Sequence, residues 1–192
     1  NLTGGKGADA LKGGAGADTI DGGADADTIT GGTGADTMTG GAGVDSFVVD
    51  ITAADASAGT AAKAASTTGF DTITDCAVGT SSDKITIAAA AVQGDGGATT
   101  TAGTGKVTNG VVTFNAADDT LAEKIVAAEA STTGGAKQAV MFQHESDAYI
   151  LVSDGTDTLG VNDALIKLTG IDTTATTSDV LTAGAGGTFT IV

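Results

Sequence analysis

From Gly4 to Val48 the chain is written in a nine-residue period. "GGKGADALK", "GGAGADTID", "GGADADTIT", "GGTGADTMT" and "GGAGVDSFV" follow one another without a gap. The shared template is G-G-x-G-x-D-x-U-x, with U a large apolar residue: Leu11, Ile20, Ile29, Met38 and Phe47, with Leu2 as the remnant before them. A unit this short cannot bury its one apolar side chain alone. It has to stack on copies of itself, so the period predicts a solenoid. The x-U-x triplet is long enough for a very short strand with its middle side chain facing inward. The glycines supply turns with φ > 0 that other residues resist. Asn1–Thr3 matches the last three positions of a unit, which predicts further repeats upstream.

One aspartate recurs in every unit: Asp9, Asp18, Asp27, Asp36 and Asp45. A tight glycine turn directs carbonyl oxygens inward, and one carboxylate added to it makes half a cage for a hard cation. Ca²⁺ takes six to eight oxygens at flexible geometry, so two such turns can complete a site. Mg²⁺ prefers a smaller octahedral shell and keeps its waters. Zn²⁺ favours His or Cys, which the repeat lacks. The candidate ligands are the five aspartates and the turn backbone at Gly4, Gly13, Gly22, Gly31 and Gly40. The third unit has Asp25 in place of the template's third glycine. Either its carbonyl serves as a ligand, with Asp accepting the left-handed turn better than most residues, or its carboxylate adds a ligand or water contact.

This pattern resembles the RTX nonapeptide of calcium-binding parallel β-rolls. The resemblance implies that two units make one coil of 18 residues and that ions sit between turns one coil apart. Asp9 then pairs with Asp27, Asp27 with Asp45, and Asp18 with Asp36, which implies three or more Ca²⁺ ions. It also implies that Leu11, Ile29 and Phe47 line one sheet and Leu2, Ile20 and Met38 the other.

The charge agrees with a cationic partner. Against 24 acidic residues stand eight basic ones, a formal net charge of −16. That excess repels nucleic acid and anionic membrane. No run approaches the length of a spanning helix, so no direct membrane insertion is expected. One cysteine, Cys76, rules out an internal disulfide framework; it reads as a buried small hydrophobe.

The expected fold is all-β: a parallel β-roll over residues 1–48, continuing into a C-terminal β-sandwich-like module over 49–192 with one short helix. "VDSFVVD", Val44 to Asp50, reads as the first regular strand, and the Ala/Ser/Thr insert after it as a loop or a short helix broken at Gly59. "FDTITDCAVGTSSDKITI", Phe70 to Ile87, reads as two strands flanking a Gly/Ser turn. Its D-x-I-x-D and D-K-I-x-I resemble the strand pair after the β-roll in serralysin-type C-terminal secretion domains. That resemblance implies that Asp71 and Asp75 close the calcium column, with Asp83 as a further candidate; solvated strand-edge charges are the alternative, and Cys76 stands where an aromatic is usual. Asn109-Gly110 marks a hairpin in Lys106 to Phe114. Thr120 with Glu123 forms a capping box for a helix over Thr120 to Ala130. Gln138 to Asp154 reads as a second hairpin, Asp163 to Ile171 as a strand, and "GTFTIV" as one more.

Nothing reads as catalytic. His144 is the single histidine, and "HESDA" lacks the second histidine of a zinc-protease helix. Asp154, Asp157 and Asp163 read as an acidic turn rather than a loose calcium loop. Calcium is scarce inside cells and near millimolar outside, where extracellular modules bind at roughly 10⁻⁴ to 10⁻³ M. The roll is therefore expected to be disordered until it meets external calcium. The resemblance implies export from a Gram-negative bacterium by type I secretion machinery, read from an uncleaved signal in the C-terminal part of the 49–192 module that ends in the apolar "TFTIV". The Ala-, Thr- and Gly-rich, Pro-free composition resembles RTX-bearing surface-layer proteins. The expected role is a secreted, calcium-dependent structural module on the cell surface that self-associates into a lattice. The alternative is the folding and secretion module of an RTX protease or lipase whose catalytic domain lies upstream.

Overall fold

A computed structural model describes residues 1–49, 70–77, 83–87, 91–92, 96–97, 105–108, 111–114, 119–130, 138–153, 164–172, 181–183 and 188–191. The insert at 51–69 and the acidic residues Asp154, Asp157 and Asp163 lie outside them.

The repeats fold as a two-sided coil. Strands β1 (Leu2–Lys6), β3 (Thr19–Ala24) and β5 (Thr37–Ala42) stack in parallel on one side. Strands β2 (Ala10–Ala15), β4 (Thr28–Thr33) and β6 (Ser46–Val49) stack on the other. The register is one coil per 18 residues: Leu2↔Ile20↔Met38 in one ladder, Leu11↔Ile29↔Phe47 in the other. Strands β1 to β5 are longer than a triplet, because pairing continues through the glycine pair, as Gly5↔Gly23 and Gly14↔Gly32 show. The U side chains Ile20, Ile29, Met38 and Phe47 are fully buried between the two sheets.

Phe70–Ile87 departs from the simple strand–turn–strand reading. Strand β7 (Asp71–Ile73) joins β5 in parallel, and β8 (Lys84–Ile87) joins β6 in parallel. The two strands lie in opposite sheets and form a further coil. Both belong to a D-x-U-x phrase, Asp71-Thr72-Ile73-Thr74 and Asp83-Lys84-Ile85-Thr86. Ile73 stacks on Met38 and Ile85 on Phe47. A backbone bond repeats up the stack at 2.8 Å: Thr28, Thr37 and Ser46 N–H donate to the carbonyls of Asp9, Asp18 and Asp27, and Thr72 and Lys84 do the same to Asp36 and Asp45.

Neither sheet stops there. β15 (Ala164–Leu168) pairs with β7, and β14 (Asp147–Ser153), β13 (Gln138–His144), β12 (Val111–Phe114), β11 (Gly105–Thr108) and β10 (Gly96–Gly97) follow outward; β9 (Ala91–Val92) pairs beside β13. In the other sheet β17 (Thr188–Ile191) pairs with β8 and carries β16 (Leu181–Ala183). β11 and β12 form the hairpin expected around Asn109-Gly110, with Thr108 opposite Val111; the turn itself lies outside the described residues. β13 and β14 form the second hairpin in full register, His144 opposite Asp147. The strand expected from Asp163 to Ile171 is shorter, as β15 ends at Leu168 and Thr169-Gly170 turn.

The sheet β13–β14–β15 has two covered faces. Met141, Ile150, Ile166 and Leu168 pack with the roll core. Val140, Phe142, Tyr149, Leu151 and Leu165 pack against helix α1 (Leu121–Glu129) through Ile125 and Ala128. The helix starts on the expected capping box: Thr120 Oγ1 accepts the Glu123 N–H, and the Glu123 carboxylate accepts the Thr120 N–H at 3.0 Å. The Thr120 hydroxyl also donates to the Glu123 carboxylate at 2.6 Å, and this bond, with the one from the Thr120 N–H, draws the Glu123 carboxyl below its ordinary pKa.

Candidate metal centre

Coiling brings the repeat aspartates into two columns along the edges of the roll, where each turn leaves one sheet for the other. In one column the Asp9 N–H donates to Asp27 Oδ1 and the Asp27 N–H to Asp45 Oδ1, both at 2.8 Å. In the other the Asp18 N–H donates to Asp36 Oδ1 at 2.8 Å. One oxygen of each upper carboxylate is thereby committed to holding the stack.

The second oxygen has a different fate. Oδ2 of Asp9, Asp27 and Asp36 is buried and lacks any hydrogen-bond partner. Each turns toward the first glycine of its own unit. A Cβ built on Gly4 would lie 2.6 Å from Asp9 Oδ2 and 2.5 Å from the carbonyl oxygen of Gly22, one coil on. A Cβ on Gly22 would lie 2.5 Å from both Asp27 Oδ2 and the Gly40 carbonyl. At Gly13 the neighbours are the Gly31 carbonyl at 2.5 Å and Asp18 Oδ2 at 2.9 Å. Only glycine leaves this cradle open, and what faces it is oxygen. Asp36 and Asp45 approach Gly31 and Gly40 in the same way.

Burying carboxylates without a cation costs free energy. Burial pushes the Asp36 carboxyl up; the Asp18 N–H opposes this and the Asp18 charge adds to it. Burial likewise raises Asp45, against the Asp27 N–H and with the charges of Asp83, Asp27 and Asp75. Among the described residues no group of three or more His, Cys, Asp or Glu side chains is placed to hold a metal. An ion here must take much of its shell from backbone carbonyls. Orphaned carboxylate oxygens beside carbonyls, with neither imidazole nor thiolate in the repeat, are the donor set of Ca²⁺. The residues fit the ion. Asp9, Asp18, Asp27, Asp36 and Asp45 would hold it with the carbonyls of Gly22, Gly31 and Gly40, while Gly4 and Gly13 line the first cradles.

The remaining acids divide. Asp25 adopts the left-handed conformation, φ +79°. Its carboxylate is exposed and reaches back one coil to the Gly7 N–H at 3.0 Å. Asp71 is buried and takes the next place in its column, accepting the Asp36 N–H at 2.9 Å. Asp75 is exposed and places one oxygen on the Gly40 N–H and the other on the Gly41 N–H, each at 2.8 Å. Asp83, the further candidate of the sequence, occupies the next place in the first column: it is buried and accepts the Asp45 N–H at 2.8 Å. The signal was the recurrence of D-x-U-x with its glycines stripped away.

Cys76 is buried behind these acids, and burial together with the charges of Asp83 and Asp75 pushes its thiol up to about 12. It packs in the core as a small hydrophobe. His144 lies across the sheet from Asp147, its ring 6.3 Å from that of Tyr149.

Residues 1–29 and 21–50 match the family model of the RTX calcium-binding nonapeptide repeat (4 copies). No curated protein matches the chain. The N-terminal repeats are a calcium-binding module of parallel strands.

Proposed function

We propose that this chain is a calcium-dependent structural module of a secreted, self-assembling bacterial surface-layer protein, without enzymatic activity of its own. Calcium outside a Gram-negative cell would fold it after passage through type I secretion machinery. The observation that carries this reading is the continuity of the sheets. Roll and C-terminal strands share both ladders, β5–β7–β15 and β6–β8–β17, so a loaded roll makes a stiff body. A lattice requires stiff subunits, because identical contacts close a sheet only when each copy holds the same shape. Calcium also offsets the −16 charge that would keep copies apart.

The test is electron microscopy with light scattering in calcium, with magnesium as control. Ordered two-dimensional sheets in calcium alone are expected. A calcium-folded monomer that never assembles would contradict the lattice and favour a folding and secretion module attached to a hydrolase.

A further inference from the structure

The sheet containing β8 is built differently at its far end from the sheet containing β7. β7 is followed by β15 and β14, whose Ile166, Ile150 and Leu168 are buried in the shared core. Among the described residues β8 is followed by the hairpin β16–β17 alone. β17 pairs antiparallel with β8, Thr188↔Thr86, Phe189↔Ile85 and Thr190↔Lys84, and its other neighbour is β16. β16 also approaches β9, but among the described residues the ladder that ties the hairpin to the roll is the one with β8.

β8 is seated by the calcium column. Asp83, the residue before it, uses both carboxylate oxygens. Oδ1 accepts the Asp45 N–H at 2.8 Å and Oδ2 accepts the Ala77 N–H at 2.7 Å. Its own N–H donates to the Ala77 carbonyl at 3.1 Å, closing the loop that enters β8. The Lys84 N–H then donates to the Asp45 carbonyl at 2.8 Å, which starts the β6–β8 ladder. Asp45 thus bonds Asp83 and Lys84 through its backbone while its side chain faces the Gly40 cradle. Asp9, Asp27 and Asp36 each keep an orphaned Oδ2, whereas Asp83 has both oxygens engaged by N–H groups. Asp83 is built as a latch rather than as one more cage wall.

We infer that Asp83 couples cation loading of the roll to the docking of the hairpin β16–β17, so that these two strands are ordered against β8 when the roll is loaded and released when it is empty. This rests on the calcium reading of the repeats. Without the ion the Asp45 turn opens, β6 loses its place, and β8 has no template. The hairpin β13–β14 does not share this dependence to the same degree, because Phe142, Tyr149 and Leu151 are clamped against α1.

Hydrogen exchange of the whole chain tests this with three reporters: β3–β5, β13–β14 and β17. In calcium all three are protected. In chelator, protection of β3–β5 and β17 falls together and β13–β14 keeps more of its own. In the Asp83→Ala variant with calcium, β17 loses about tenfold or more of its protection while β3–β5 and β13–β14 stay close to the parent. Asp83→Asn, which keeps one acceptor oxygen, falls between. If β3–β5 shows no response to calcium, the calcium reading itself fails and the coupling with it. If β3–β5 responds but β17 is equally protected with and without calcium, the coupling alone is overturned. A loss at β17 in Asp83→Ala no greater than at β13–β14 overturns the latch.

Discussion

The roll and the β13–β15 sheet are both β-structure, and they share a core, yet different physics holds each. Each rung of the roll contributes one inward apolar side chain, such as Ile20 or Met38. Around that thin core are glycine turns, which lose the most backbone freedom on folding, and buried carboxylates with unpartnered oxygens. The β13–β15 sheet has apolar residues on both faces. In β14 every residue from Ala148 to Ser153 is buried, as expected for a strand covered on both sides. One region is a scaffold that lacks a term until a cation supplies it. The other is complete in its own side chains. The lesson is that a low-hydrophobicity fold can be made conditional on an ion by placing charge where apolar contact would otherwise be.

The sharpest way to test the second half of this contrast is Phe142→Ala. Phe142 is fully buried, 5.5 Å from the Phe114 ring edge-on and 5.5 Å from the stacked Tyr149 ring. Losing it should cost about 3–5 kcal/mol, and by chemical denaturation the loss should be similar in calcium and in chelator. A loss seen only in calcium would merge the two regions into one.

Gly22→Ala attacks the first half. The added methyl would meet Asp27 Oδ2 and the Gly40 carbonyl together. Overpacking of about 1–3 kcal/mol should follow. It should read as a weaker calcium midpoint for the roll and leave the protection of β13–β14 unchanged. Thr120→Ala removes one half of the capping box and should cost about 1 kcal/mol, confined to α1 and the sheet face beneath it.

The smallest effect is one of sign. Folding raises the carboxyl pKa of Asp36 and Asp45, so in the calcium-free roll their contribution is present below the ordinary value of 3.8 and is lost as pH rises through the raised ones. Asp147 goes the other way. Burial pushes it up, but the Lys167 ammonium at 2.7 Å and the Gly170 N–H outweigh that and hold it below its ordinary value. Its contribution is present above 3.8 and is lost as pH falls through the lowered value. Calcium-free exchange measured across the acid range should therefore slope in opposite directions at β3–β5 and β14. Equal slopes would contradict the assignment of unpartnered charge to the roll.

How legible this was in the sequence depended on the period. Five glycine-marked units give the coil length, the two ladders and the aspartate columns, because fixed spacing leaves one register. The coil made by β7 and β8 was harder to see. Its units keep D-x-U-x but replace the glycine pair, and Asp71 and Asp83 stand twelve residues apart where the repeat spaces its aspartates by nine. Read locally, that is a strand pair; only stacking on Met38 and Phe47 makes it a coil. The role of Asp75 on two glycine N–H groups is likewise a matter of coil-to-coil contact. The hairpins and α1 were legible because their signals are local: Asn109-Gly110 and Thr120 with Glu123. The short strands β9, β10 and β16 carry no such signal, and their place comes from neighbours distant in sequence.

The central claim is that at neutral pH, where its buried carboxyls are charged, the roll becomes structure only with calcium. Circular dichroism of the chain titrated from chelator to about 10 mM calcium, well above the range of extracellular calcium modules, with magnesium in parallel, tests it most directly. A cooperative gain of β-signal in calcium that magnesium does not reproduce is expected. A β-signal already complete in chelator, or one that magnesium restores equally well, would contradict it.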